Sequence, residues 1–135
     1  MFDIILKNAT VLDGRGNDAF VSDIGIKDGK IAALSKGISG AERVIDVEGL
    51  TVTPGFIDSH SHSDRTFISR PDQTEKVQQG ITFSITGQCG GSPSPIRKKD
   101  SNEIETVGEF FDRLKAVPQG SGAALLIGQI GRAHV

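Results

Sequence analysis

The chain has 135 residues, a length that suits one domain, and its charge is nearly balanced at 15 Lys and Arg against 17 Asp and Glu. That balance excludes a basic stripe for nucleic acid and an acidic tail, and a single cysteine, Cys89, excludes an internal disulfide. Seven Phe without Trp or Tyr, beside 17 Gly, describe tight turns and close crossings rather than a dense aromatic core.

The opening Met1-Phe2-Asp3-Ile4-Ile5-Leu6-Lys7 is interrupted by charge and lacks the long apolar run and cleavage site of a signal peptide. No apolar stretch reaches the roughly 20 residues that cross a bilayer. A cytoplasmic location is therefore expected, with neither membrane nor nucleic acid as a partner. Phe2, Ile4 and Leu6 alternate with Asp3, Ile5 and Lys7, and Val11-Leu12 precede the turn cluster Asp13-Gly14-Arg15-Gly16-Asn17-Asp18. Lys27-Asp28-Gly29-Lys30, between the runs at Ile24 and at Ile31 to Leu34, predicts a type I′ hairpin. Val44-Ile45-Asp46-Val47 and Leu50-Thr51-Val52-Thr53 flank the turn Glu48-Gly49 as a second candidate pair. Residues 1–53 are thus expected to be a small antiparallel β domain.

Pro54-Gly55 marks the boundary to a second region, 54–135. Phe56-Ile57-Asp58-Ser59-His60-Ser61-His62 reads as a buried strand with a polar end. Asp72-Gln73-Thr74-Glu75 has capping-box spacing and predicts a helix from Gln73 to Gln79, stopped by Gly80 at C′. Ile81 to Thr86 is a β-branched strand ending in Gly87-Gln88-Cys89-Gly90-Gly91. Ser92 to Asn102 is a proline-bearing, charged loop. Thr106-Val107-Gly108-Glu109 repeats the capping box, and Val107, Phe110, Phe111, Leu114 and Val117 fall on one helical face. Ala123 to Ile127 reads as a third strand. Strand, helix, strand, helix, strand argues for parallel strands with right-handed crossovers.

His60 and His62 are two apart, so on an extended strand they face one side, roughly 6.6–6.8 Å apart along its axis. Two imidazoles so placed can tilt toward one ion at about 2.0–2.1 Å from each nitrogen. If the first two strands are parallel neighbours, Cys89 stands over the same carboxyl end. A thiolate beside a divalent cation binds it, and two nitrogens with one sulfur suit zinc best. Blander accounts exist for each residue. An isolated His-x-His is weak evidence, and a lone cysteine is most often buried and inert. His134 reads as an ordinary histidine. Asp58 reads as structural packing, with a role orienting a ligand as the alternative. Asp64, Arg65 and Arg70 read as solvated loop charges, with a place at the rim of a substrate pocket as the alternative.

The run Val52-Thr53-Pro54-Gly55-Phe56-Ile57-Asp58-Ser59-His60-Ser61-His62 closely resembles the first-barrel-strand signature of the amidohydrolase superfamily. Residues 1–53 resemble that superfamily's opening β-sandwich segment, with Asp13-Gly14 early and Ile45-Asp46 late. Within it, Lys76-Val77-Gln78-Gln79-Gly80-Ile81-Thr82 and Thr86-Gly87-Gln88-Cys89-Gly90 resemble the D-aminoacylases, the N-acyl-D-amino-acid deacylases. That family has a cysteine metal ligand in the equivalent turn, so the resemblance implies a zinc centre held by His60, His62 and Cys89. Hydantoinase and dihydroorotase branches share the histidine pair but are expected to lack the cysteine turn and to use a carboxylated lysine. The family often has Gly-His near the end of the third strand, where this chain has Gly128-Gln129.

The implied fold is a metal-dependent-hydrolase (β/α)8 TIM barrel preceded by a β-sandwich segment. A barrel takes about 250 residues, and only about 80 follow Pro54. The barrel is therefore expected to be incomplete in this chain. The rest of the protein or another protomer would complete it, and the remaining ligands and catalytic aspartate would lie beyond Val135. The implied reaction is deacylation of an N-acyl-D-amino acid, with water activated by the metal ion and the proton carried by a carboxylate on the last strand. No residue of the chain is assigned as catalytic, and by itself the chain is expected to be inactive. A cyclic amidase and a non-catalytic scaffold are the alternatives.

Overall fold

A computed structural model describes residues 1–97 and 104–127, and its chain divides into two compact units, Met1–Pro54 and Gly55–Val135. Gln129 and His134 lie outside the described residues.

In the first unit β1 (Phe2–Val11) is the longest strand and organises the rest. It pairs antiparallel with β2 (Phe20–Lys27), which pairs antiparallel with β3 (Lys30–Ser35) across the Asp28-Gly29 turn. Both turn residues adopt positive φ, as a type I′ turn requires. The expected second hairpin does not form. β4 (Ala41–Asp46) and β5 (Thr51–Val52) each run parallel to β1, β4 along Phe2 to Lys7 and β5 along Thr10 and Val11. The sheet is therefore mixed rather than antiparallel. Glu48-Gly49 steps the chain sideways without reversing it: Leu50 N–H donates to the Val47 carbonyl, and Thr10 N–H to the Leu50 carbonyl. A strand of ten residues has room for two successive partners on one edge, and the bulge between Leu6 and Ala9, with Asn8 left-handed, falls between them. Ala9, Val11 and Ile24 form the core of this unit.

In the second unit β6 (Phe56–Asp58), β7 (Ile81–Thr86) and β10 (Gly122–Leu125) form a parallel sheet in the order β10-β7-β6. The alternating pattern required this, and all three carboxyl ends lie on one side. β6 is an edge, so Phe56 and Ile57 are exposed rather than buried as the apolar run suggested. Gly55 is needed where the chain enters β6, because a Cβ there would lie 2.3 Å from Cγ2 of Thr82.

Two helices precede β7. One, α1 (Thr66–Ser69), has no sequence signature, and it buries Phe67. The other, α2 (Thr74–Val77), is shorter than its capping box predicted. Asp72 is not the cap: its carboxyl accepts from the Thr74 hydroxyl, while the left-handed Gln73 occupies the cap position and is buried. Of the loop expected over Ser92 to Asn102, residues 98–102 lie outside the described residues; on either side of them β8 (Ile96–Arg97) pairs antiparallel with β9 (Ile104–Glu105).

The second capping box does form. Thr106 and Glu109 exchange hydrogen bonds and start α3 (Val107–Lys115). Phe110 and Leu114 of its apolar face pack with Phe67 as the core of this unit. Val117, at the end of the predicted stripe, is exposed. The third strand starts one residue early and stops at Leu125, short of Ile127. Among the described residues no helix is long and apolar enough to cross a membrane.

Candidate metal centre

β6 stops at Asp58, so His60 and His62 sit on the segment just beyond it, not on a regular strand. The segment still follows β7, since the Ser61 N–H donates to the Ile85 carbonyl at 3.0 Å. That bond holds the histidines at the carboxyl end of the sheet. Their rings lie edge to face with centroids 5.4 Å apart, and both are exposed.

Cys89 comes to the same end from β7. It lies in a single tight turn, Gln88–Gly90, with φ 55° and ψ 29°. Left-handed backbone at a residue that is neither glycine nor asparagine is strained, by roughly 1–2 kcal/mol. Gly87 and Gly90 share the left-handed region and make the turn possible. Cys89 is exposed, not the buried thiol that its residue type most often is.

The turn brings Cys89 Sγ to 3.5 Å from His60 Nε2. One ligand atom from each of His60, His62 and Cys89 falls within 4.8 Å of the others. In a tetrahedral zinc site with bonds of about 2.0–2.1 Å to nitrogen and 2.3 Å to sulfur, nitrogen and sulfur stand about 3.6 Å apart. The Cys89–His60 spacing fits that figure. The donor set of two imidazoles and a thiol also fits a divalent ion.

Beneath the histidines, Asp58 Oδ2 accepts from Lys76 Nζ at 2.6 Å, and Oδ1 accepts from the His60 N–H at 3.2 Å. Lys76 also donates to Ser61 Oγ at 2.9 Å. The bond from Lys76, reinforced by the His60 N–H, holds the Asp58 carboxyl below the usual carboxylate range against the opposing effect of burial. Asp58 thus anchors the first turn of the histidine segment. Nothing in the local sequence marks Lys76 as its partner, which lies 18 positions away.

Asp64 is not a solvated loop charge. It is buried, and Oδ1 accepts from the Gly87 N–H at 2.5 Å. Gln88 adds a second link to the histidine segment, donating from Nε2 to the Ser59 carbonyl at 3.0 Å. Arg65 and Arg70 are exposed as expected, and Arg70 pairs with Glu75.

Comparison with known proteins gives these features a family. The model of the amidohydrolase family matches residues 43–109. A D-aminoacylase of Alcaligenes xylosoxydans xylosoxydans is 36% identical over 140 residues, covering 94% of this chain and 29% of that protein. A solved D-aminoacylase with a binuclear metal centre superposes with a TM-score of 0.87 at 33% identity, covering 97% of this chain and 30% of its own. N-acyl-D-glutamate deacylase from Bordetella bronchiseptica, solved with zinc and a phosphonate mimic of the tetrahedral intermediate, gives 0.83 at 31% identity, covering 96% of this chain and 30% of its own. The chain thus spans under a third of the length of these relatives. Its Pro-Gly entry into β6, paired histidines and glycine-flanked cysteine turn lie in the part that matches, and the chain belongs to the amidohydrolase family.

Proposed function

We propose that His60, His62 and Cys89 are zinc ligands in a hydrolase that converts N-acyl-D-amino acids to a D-amino acid and a carboxylate. The observation that carries this reading is the 3.5 Å approach of Cys89 Sγ to His60 Nε2 across two parallel strands. The similarity to D-amino-acid deacylases supports the substrate class. The cysteine favours deacylation over the cyclic-amidase alternative, whose branches are expected to lack it. A zinc ion held there would supply Lewis acidity and a nucleophilic water at neutral pH.

The chain's own residues do the holding. Neutral imidazoles offer nitrogen lone pairs, and the thiol binds as thiolate. Asp58 and Lys76 fix the backbone of His60. Asp58 and Asp64 are engaged with Lys76 and Gly87, and neither is assigned the proton transfer. A reducing compartment such as the cytoplasm suits a ligand that must stay a free thiol.

The test is release of amino acid from N-acetyl-D-amino acids by zinc-loaded protein, with hydantoins and N-acetyl-L-amino acids as controls. It is run on the 135-residue chain with and without any coding sequence that follows Val135. Zinc-dependent release from D substrates alone supports the reading. Turnover of hydantoins in place of the D substrates overturns it.

A further inference from the structure

Asp64 connects the two segments that carry the proposed ligands. It lies two positions after His62, is 5% exposed, and accepts from the Gly87 N–H two positions before Cys89. Among the described residues the Gly87 amide has no partner in the sheet ladder. β7 ends at Thr86, whose carbonyl receives the Leu126 N–H. The Leu126 carbonyl oxygen occupies the space where a side chain at Gly87 would begin, since a Cβ there would come within 2.1 Å of it. Gly87 is therefore held between a backbone it must clear and a carboxyl that accepts a hydrogen bond from its N–H. Both constraints act at the residue that opens the left-handed turn Gly87, Cys89, Gly90. The other link, Gln88 to Ser59, is exposed and competes with water.

We infer that Asp64 is a positioning residue for the metal centre, its carboxyl tying the histidine segment to the cysteine turn and so setting where Cys89 Sγ stands relative to His60 and His62. The inference rests on Cys89 being a ligand. A buried N–H that loses its acceptor pays its full desolvation cost, so the turn relaxes when the acceptor is removed. Asp64→Ala removes the acceptor. Asp64→Asn removes only the charge, because its amide oxygen can occupy the same place.

The experiment is cobalt(II) titration of the 135-residue chain, read by absorption, with amide exchange of the metal-free chain beside it. The thiolate-to-cobalt charge-transfer band reports Cys89, and the weaker d–d bands report the bound ion. Asp64→Ala is expected to lose the charge-transfer band, keep the d–d bands, and bind cobalt about 10- to 100-fold more weakly. Asp64→Asn is expected to keep both. Exchange at Gly87 is expected to be slow in the unaltered chain and at least about tenfold faster in Asp64→Ala. A full charge-transfer band in Asp64→Ala overturns the inference and leaves the ligand set standing. Cobalt bound to the unaltered chain without that band overturns the ligand set and the inference with it. A Gly87 amide that exchanges in the unaltered chain as fast as a solvated loop amide overturns the tether without recourse to any variant.

Discussion

The sulfur of Cys89 and Nε2 of His60 stand 3.5 Å apart although 29 positions separate them in the chain. Two parallel strands of different length, β6 and β7, deliver them to one rim, and a left-handed cysteine turns the thiol toward the imidazole. Replacing Cys89 with Ser, or His60 with Ala, removes a proposed ligand outright. Loss of an outer partner typically costs 10–100-fold in metal affinity, so loss of a ligand is expected to cost at least about 100-fold. Zinc competition against a chelating dye measures this, and unchanged affinity in both variants would sink the ligand assignment.

The cysteine turn also predicts a contrast between two glycines. Gly87→Ala places a Cβ at positive φ and 2.1 Å from the Leu126 carbonyl oxygen, which is backbone and cannot swing aside. A destabilisation of roughly 1–3 kcal/mol is expected from the strain and crowding. Gly108, in the first turn of α3, has ordinary φ, and a Cβ there would meet Thr106 Oγ1 at 3.8 Å, an ordinary contact that crowds nothing. Gly108→Ala is expected to stabilise by about 0.4–1 kcal/mol through the unfolded chain. Urea unfolding of the two variants should shift in opposite directions.

In the first unit Asp23 accepts from the Asn8 N–H, Lys7 Nζ and the Gly37 N–H at 2.9–3.0 Å. The Asn8 N–H, followed by Lys7, lowers its pKa from the ordinary 3.8 to about 2. A carboxyl that titrates lower in the folded state favours folding when charged. Its contribution is complete above about pH 4 and is lost as pH falls toward 2. Asp23→Asn is expected to weaken the fold at neutral pH and to flatten the pH dependence in that window. Urea midpoints collected from pH 7 to pH 2 would show it, and parallel curves for the two proteins would refute it.

The docking of α3 ranks two substitutions. Phe110 is 3% exposed against Phe67 and Leu114, so Phe110→Ala is expected to cost about 3–5 kcal/mol, the usual range for a buried Phe. Thr106 caps the helix at the surface, and Thr106→Ala is expected to cost only about 1 kcal/mol. Equilibrium unfolding followed by circular dichroism separates the two, and equal costs would mean that α3 is held by its cap rather than by its face.

Amino-acid order alone determined the features whose cause is local. The Asp28-Gly29 hairpin, the Thr106–Glu109 capping box and the period of Ile81 to Thr86 each follow from neighbouring residues. The alternation of strands and helices after Pro54 required parallel strands, which put His60, His62 and Cys89 at a common end. Tertiary structure decided what depends on distant partners. The Glu48-Gly49 turn looks the same whether it reverses the chain or steps it sideways, and only the free edge of β1 selects the step. Asp58 and Asp64 look alike as acids beside a histidine pair. Folding brings Lys76 to one and the Gly87 amide to the other, because a charge or N–H removed from water must take whatever partner the packed chain places beside it.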